Sequence, residues 1–251
     1  MTPVVVHPAA AELGRALADR IVREIDAGAG RPYLLGCPAG RSLASTYEAL
    51  AARRDADLGR LVIVMMDEYV HRRAERFERC SVAEHYSCAR FAEHAIRRPL
   101  GLREDQVWLP DPADPGAYER RLAEAGGIDL FLLASGASDG HVAFNPPGAA
   151  LESRTRIVPI AEATRRDNMG TFPDFRSLDE VPTHGVSIGL GTIVTHARSS
   201  VMVIHGAHKA AAARRLVTHQ AFTPAWPATV IHCCRDASIH VDEAAAEEMQ
   251  R

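Results

Sequence analysis

Four short apolar runs constrain this chain more than any other feature. Residues 32–37 read PYLLGC, 60–66 RLVIVMM, 128–134 IDLFLLA and 200–206 SVMVIHG, with almost no polar residue alternating among the apolar ones. A strand with one face in water alternates polar and apolar side chains, so uninterrupted runs of this length mean both faces are covered. Helical patterns fall between the runs. Leu13, Leu17, Ile21 and Ile25 recur every four residues, and LASTYEALAARR, the stretches 85–97 and 118–124, and KAAAARRLV read as further helices. Strands alternating with helices predict parallel pairing through right-handed crossovers. The expected fold class is therefore α/β: a three-layer Rossmann-like domain, with a mostly parallel sheet and helices on both faces. It takes residues 1–251 as one unit. GVSIGL and ATVIHCC are expected as later strands, and the long connection from about Asn145 to Pro182 as a small strand plus a lid-like segment.

In an open sheet of this kind ligands bind beyond the carboxyl ends of the strands, and three of those ends are loaded. The first is GCPAGRS, Gly36 to Ser42. A glycine-containing turn entering a helix offers backbone N–H groups to phosphate or carboxylate oxygens, with Arg41 and Ser42 as side-chain donors. Equally, it reads as a plain strand–turn–helix with Ser42 as N-cap. The second is MMDEY, Met65 to Tyr69. Asp67 and Glu68 are costly to desolvate there unless used or paired. They fit either a base for a carbon-bound proton or a salt bridge at a loop start. The third is SGASDGHVAFNPPG, Ser135 to Gly148, in which Asp139 stands two residues before His141. Histidine carries protons near neutral pH and also serves as an ordinary hydrogen-bonded turn residue.

The bulk numbers exclude some functions. A net charge of −3 and a pI near 6.5 provide no electrostatic footprint for nucleic acid or an anionic membrane. No apolar run approaches the roughly 18 residues a membrane span needs. MTPVVVHPAAAELGR lacks a basic region followed by a long apolar stretch, so no signal peptide is expected. The five cysteines, Cys37, Cys80, Cys88, Cys233 and Cys234, lack C-x-x-C spacing, so reduced, packed thiols and a cytoplasmic compartment are expected.

In order and spacing these motifs resemble the glucosamine-6-phosphate deaminase family, whose fold is shared with the 6-phosphogluconolactonases. LLGCPAGRSLASTYEAL is similar to the family's phosphate loop and following helix, VIVMMDEYV to its Met-Asp-Glu-Tyr strand end, and IDLFLLASGASDGHVAFNPPG to its signature. SRTRIVPI, GVSIGLGTI and VMVIHGAHKAAAA follow in the family's order. The resemblance implies aldose–ketose isomerisation of a hexosamine 6-phosphate with release of ammonia. His141 would move protons during ring opening, supported by Asp139. Asp67 would take the C2 proton and return it at C1. The phosphate would lie against Ala39, Gly40, Arg41, Ser42 and Lys209, the only lysine in the chain. A small sugar phosphate is the implied partner, with no cofactor, metal, nucleic acid or membrane; assembly into a homo-oligomer stays open.

Two positions depart from the pattern. After DGHxAFN the deaminases carry a glutamate that pairs with the histidine, and here that position is Pro146. The arginine that clamps their sugar phosphate aligns with Gly170. Asp139 or Glu68 is a candidate to replace the first, and Arg41, ahead of Arg165 and Arg166, the second. The departures keep two alternatives in view: a 6-phosphogluconolactonase-like hydrolase, which the DEY strand end and the AFN after His141 argue against, and a non-catalytic sugar-phosphate-binding protein.

Overall fold

The computed structural model describes residues 1–28 and 30–249. In chain order its strands are β1 (Val4–His7), β2 (Tyr33–Cys37), β3 (Leu61–Met65), β4 (Asp67–Arg73), β5 (Arg76–Arg79), β6 (Val107–Trp108), β7 (Ile128–Ala134), β8 (Arg156–Pro159), β9 (His184–Ser187), β10 (Ala197–Ile204) and β11 (Ala237–Asp242). Its α-helices are α1 (Ala10–Ala27), α2 (Ala44–Ala52), α3 (Cys88–Phe91), α4 (Pro115–Glu124), α5 (Glu162–Thr171), α6 (Leu190–His196), α7 (Ala210–Thr218) and α8 (Glu243–Ala246). Seven strands form one sheet in the order β1-β11-β10-β7-β2-β3-β6, and every pairing in it is parallel.

The uninterrupted apolar runs serve two cores at once. Leu35, Ile63, Leu130, Leu132, Val201 and Val203 pack on one face against Leu13, Leu17, Ile21 and Ile25 of α1 and Leu50 of α2. Their neighbours Leu34, Val62, Val64, Phe131, Leu133 and Met202 pack on the other against Leu122 of α4, Ile193 of α6 and Leu216 of α7. Each fully buried Leu or Ile in these layers contributes about 2 kcal/mol. The one acid within a run, Asp129 at the start of β7, is paired with Arg31 and accepts the Leu34 N–H at 2.9 Å, at the edge of the sheet remote from the strands' carboxyl ends. The α/β architecture is thus the one expected from sequence.

A second sheet, β5-β4-β9-β8, is antiparallel and stands against the carboxyl edge of the first. The junction is Met66. Its N–H donates to the Cys37 carbonyl at 3.2 Å, and its own carbonyl accepts the Ile188 N–H at 2.9 Å. The chain therefore runs from β3 into β4 instead of stopping at Asp67-Glu68-Tyr69. GVSIGL supplies β9 of this second sheet, not a strand of the main one. ATVIHCC is not a strand: residues 227–233 form a 3-10 helix started by Pro227, and the last strand is ASIHVD. The helix expected over 85–97 begins only at Cys88, because Ser87 caps it by accepting the Arg90 N–H at 3.2 Å. Between Asn145 and Pro182 lie β8 and α5, the latter lying over the carboxyl edge. No described helix is long and apolar enough to cross a membrane, and the five cysteines are free thiols.

Candidate active site

The loops after β2, β3, β7 and β10 and the helix α5 enclose a cleft of about 310 Å³. Ala39, Gly40, Arg41, Ser42, Asp67, His141 and Lys209 line it, together with His205 and His208. Asp139 stands directly behind His141. Asp67, Asp139, His141, the 39–42 turn and Lys209 are therefore brought together, whereas Glu68, Arg165 and Arg166 are not among the residues lining the cleft.

At the acid–base end, Asp139 Oδ1 holds His141 Nδ1 at 2.6 Å and the His141 N–H at 3.1 Å, and Asp139 Oδ2 accepts the Thr164 hydroxyl of α5 at 2.7 Å. A carboxylate is an acceptor, so Nδ1 carries the proton and Nε2 is left for a ligand. Burial alone would raise the Asp139 pKa, but the hydrogen bonds and charge of His141 and the Thr164 hydroxyl outweigh it and hold the group at about 2. Two glycines make room. A Cβ on Gly136 would stand 2.2 Å from His141 Nδ1, and Gly140 takes φ of +67° with the Trp226 ring against its Cα. Asn145 is fully buried and locks the loop by donating to the Val142 and Ile188 carbonyls.

Asp67 begins β4 opposite Ser187 of β9, at the junction of the two sheets. Burial raises its pKa to about 7, partly offset by the Cys88 thiol 3.5 Å from Oδ1, while neighbouring Glu68 raises it and His141 lowers it. The adjacent acid is spoken for. Glu68 is fully buried and accepts hydrogen bonds from the N–H groups of Tyr69, Cys88 and Ala89, the Ser87 hydroxyl and the Cys80 thiol. It anchors the segment before α3 and has no bond to His141; of the two replacements named for the missing glutamate, only Asp139 reaches the imidazole.

The anion end is built from β2 and β10. Gly40, with φ of +101°, turns the chain into a 3-10 helix at 41–43 and is itself the N-cap. Ser42 is not the cap: its hydroxyl accepts from Lys209 Nζ at 2.9 Å, and the Ser135 carbonyl accepts from the same ammonium at 3.0 Å. Burial lowers the Lys209 pKa to about 8, with Asp167 acting in the opposite direction and Arg41 in the same one. The loop before Lys209 is fixed by Asp242, which accepts the Gly206 N–H through both oxygens at 2.9 and 3.0 Å, and His205 Nε2 lies 3.0 Å from the Ser42 carbonyl. Arg41 reaches across the cleft to α5, where a Cβ on Gly170 would lie 3.3 Å from its Nη2. The guanidinium thus lies against α5 at Gly170, delivered from the opposite wall of the cleft. Arg165 instead holds the Leu178 and Val181 carbonyls, and Arg166 pairs with Glu162 in solvent.

Residues that sequence reading did not single out for the cleft also line it, among them Asp167, Asn168 and Thr171 on α5, Phe172 and Cys88. The Tyr69 hydroxyl, fully buried, and the Asn168 amide nitrogen have no protein partner among the described residues. Asp167 and Asn168 fall in the connection read only as a small strand and a lid-like segment, so their sequence context carries no signal for them.

A buried carboxylate poised near neutrality, a carboxylate-held imidazole and a cationic loop facing one cleft define an α/β protein built for acid–base chemistry on a small anionic molecule. The family follows from comparison with known proteins. The profile of the glucosamine-6-phosphate isomerases/6-phosphogluconolactonase family matches residues 8–240, and the chain belongs to that family. It is 37% identical over 259 residues to a glucosamine-6-phosphate deaminase of Mycolicibacterium smegmatis, covering 98% of this chain and 92% of that one. It is 38% identical over 254 residues to the deaminase of Beutenbergia cavernae, with the same coverage. Among solved structures, a monomeric glucosamine-6-phosphate deaminase superposes with a TM-score of 0.85 at 24% identity, covering 98% of this chain and 99% of that one. The 6-phosphogluconolactonase of Trypanosoma cruzi gives 0.70 at 20% identity, covering 100% and 98%. These structures share the fold.

Proposed function

We propose that this protein is an amino-sugar-phosphate isomerase that deaminates its substrate, converting a hexosamine 6-phosphate and water into a ketohexose 6-phosphate and ammonia. The observation that carries the reading is the convergence of Asp67, the Asp139–His141 pair and the Arg41–Ser42–Lys209 cluster on one cleft. The naming of the relatives as deaminases supports it.

The residues divide the work by their chemistry. Lys209, Arg41, the Ser42 hydroxyl and the N–H groups of the turn at Gly40 hold the phosphate, which fixes the sugar by its far end. His141, through Nε2, takes the proton from O1 and delivers one to the ring oxygen, and Asp139 stabilises the imidazolium that forms in between. Opening the ring makes the C2 proton acidic. Asp67, with a pKa of about 7, is substantially ionised at neutral pH and basic enough to remove that proton. Returning it to C1 leaves a carbon–nitrogen double bond at C2, which adds water and expels ammonia. One carboxylate suffices for both positions because they are adjacent in a cis-enolamine.

Incubating the purified protein with glucosamine, galactosamine and mannosamine 6-phosphates, and separately with 6-phosphogluconolactone in a pH-stat, tests the reading. Ammonia and ketose are expected from an amino sugar. Acid release from the lactone alone would transfer the site to the hydrolase reading, and binding without turnover of any compound to the non-catalytic one.

A further inference from the structure

Pro146 has no side-chain acceptor and is not among the residues lining the cleft. Glu68 is fully engaged elsewhere, and Asp139 holds only one nitrogen of His141. A further carboxylate arrives from α5. An oxygen of Asp167 lies within 4.8 Å of a ring nitrogen of His141 and of a carboxylate oxygen of Asp139. Asp167 is half-buried, lines the cleft, and accepts the Ser138 hydroxyl at 3.0 Å, which ties α5 to the loop that carries Asp139. Thr164 and Asp167 are three residues apart and share one helix face. That face therefore delivers a hydroxyl to Asp139 and a carboxylate beside His141 together.

We propose that Asp167 is a positioning residue of the acid–base centre, the second carboxylate that orients His141 and stabilises the imidazolium formed once the imidazole ring has taken the O1 proton, supplied from α5 in place of the side chain Pro146 lacks. The groups facing His141 are Asp139 from its own loop, Asp67 from β4, and Thr164 and Asp167 from α5. Three of the four are carboxylates. An opposite charge at this range favours the imidazolium, the form that donates a proton to the ring oxygen. Asp167 also faces the anion end, where its charge works against the loss of the Lys209 proton. Its charge repels a bound phosphate directly while it keeps Lys209 charged, so its net effect on binding is small and its effect on proton transfer separates from it in kinetics.

The catalytic part of this inference rests on the deaminase reading; the electrostatic part does not. Asp167→Asn is expected to lower kcat for the amino-sugar phosphate about tenfold or more, with KM unchanged or lower, and Asp167→Glu to restore most of kcat. Independently of turnover, the state of the His141 ring is read from its nitrogen shifts at fixed pH by nitrogen-edited NMR, assigned by comparison with His141→Gln. Those shifts are expected to move in Asp167→Asn and to return towards the wild-type positions in Asp167→Glu. Should Asp167→Asn fail to fold, Asp167→Ser and Ser138→Ala, which frees the carboxylate, give the same reading in smaller steps. A wild type inactive on every amino-sugar phosphate, with the change in the His141 ring signals still seen, would refute the deaminase reading and support this one. Unchanged His141 ring signals, or a rise in KM with kcat intact, would overturn it.

Discussion

Replacing Asp67 by Asn is expected to abolish turnover and stabilise the fold in the same variant. In the folded protein the Asp67 carboxyl is raised from 3.8 to about 7, with burial as the leading cause. A raised carboxylate pKa means that the folded state disfavours the ionised form. Its favourable contribution is complete below about pH 4, declines as pH rises, and is lost once pH passes the folded value near 7. Three units at about 1.4 kcal/mol each set a ceiling of about 4 kcal/mol at pH 8. Water entering the cleft cuts this to about 2–4 kcal/mol. Asparagine has the shape of the neutral acid without the charge, so the variant should gain that amount at pH 8. At pH 4.5, where only about 0.7 of a unit has been traversed, the gain should be about 1 kcal/mol. For a chain of this size the pH 8 gain corresponds to a Tm rise of roughly 5–10 °C. Urea unfolding of both proteins at the two pH values reads the difference, and ammonia release reads activity. An equal stability change at both pH values, or a loss at pH 8, would refute the electrostatic account of Asp67.

Other expectations follow from the same geometry. Arg41→Ala should raise KM for a phosphorylated sugar about 10- to 100-fold with little change in kcat, since a charge-assisted phosphate contact is worth about 1.5–3 kcal/mol. Adding Gly170→Arg in that background should recover much of it in steady-state assays, because the guanidinium then returns from α5 to the place Arg41 vacates. Lys209 has a pKa of about 8 in the free protein, so the apparent affinity for inorganic phosphate should weaken as pH rises through 8, and a titration flat from pH 7 to 9.5 would contradict its role. Gly136→Ala puts a methyl 2.2 Å from His141 Nδ1; it should break the Asp139–His141 pair and cut kcat by two orders of magnitude or more, as circular dichroism shows the fold intact.

The parallel sheet was legible because two-faced burial leaves an unmistakable trace: Leu34 and Leu35, or Leu132 and Leu133, are consecutive and serve opposite cores. The second sheet was less legible. Strand β4 begins at Asp67, and its polar continuation, HRR, carries no apolar pattern. ATVIHCC misled because a short apolar run bounded by turns suits a buried 3-10 segment as well as a strand. The strand ends announced the site, since Asp67, Asp139, His141 and the turn at Gly40 are unusual beside apolar runs. Arg41 was legible in the same turn and was named for the Gly170 position, while Lys209 needed the resemblance. Asp167 was invisible, because its place depends on how α5 folds back over the carboxyl edge through more than twenty residues of irregular chain.

The most direct test of the central claim is proton NMR of glucosamine 6-phosphate turned over by the wild-type protein in deuterated water, with ammonia measured alongside. The account predicts fructose 6-phosphate and ammonia in equal amounts, with any deuterium that exchanges onto Asp67 before the proton is returned appearing at C1 and at no other carbon. Ketose formed without ammonia, label at a carbon other than C1, or no reaction while the lactone is hydrolysed would contradict it.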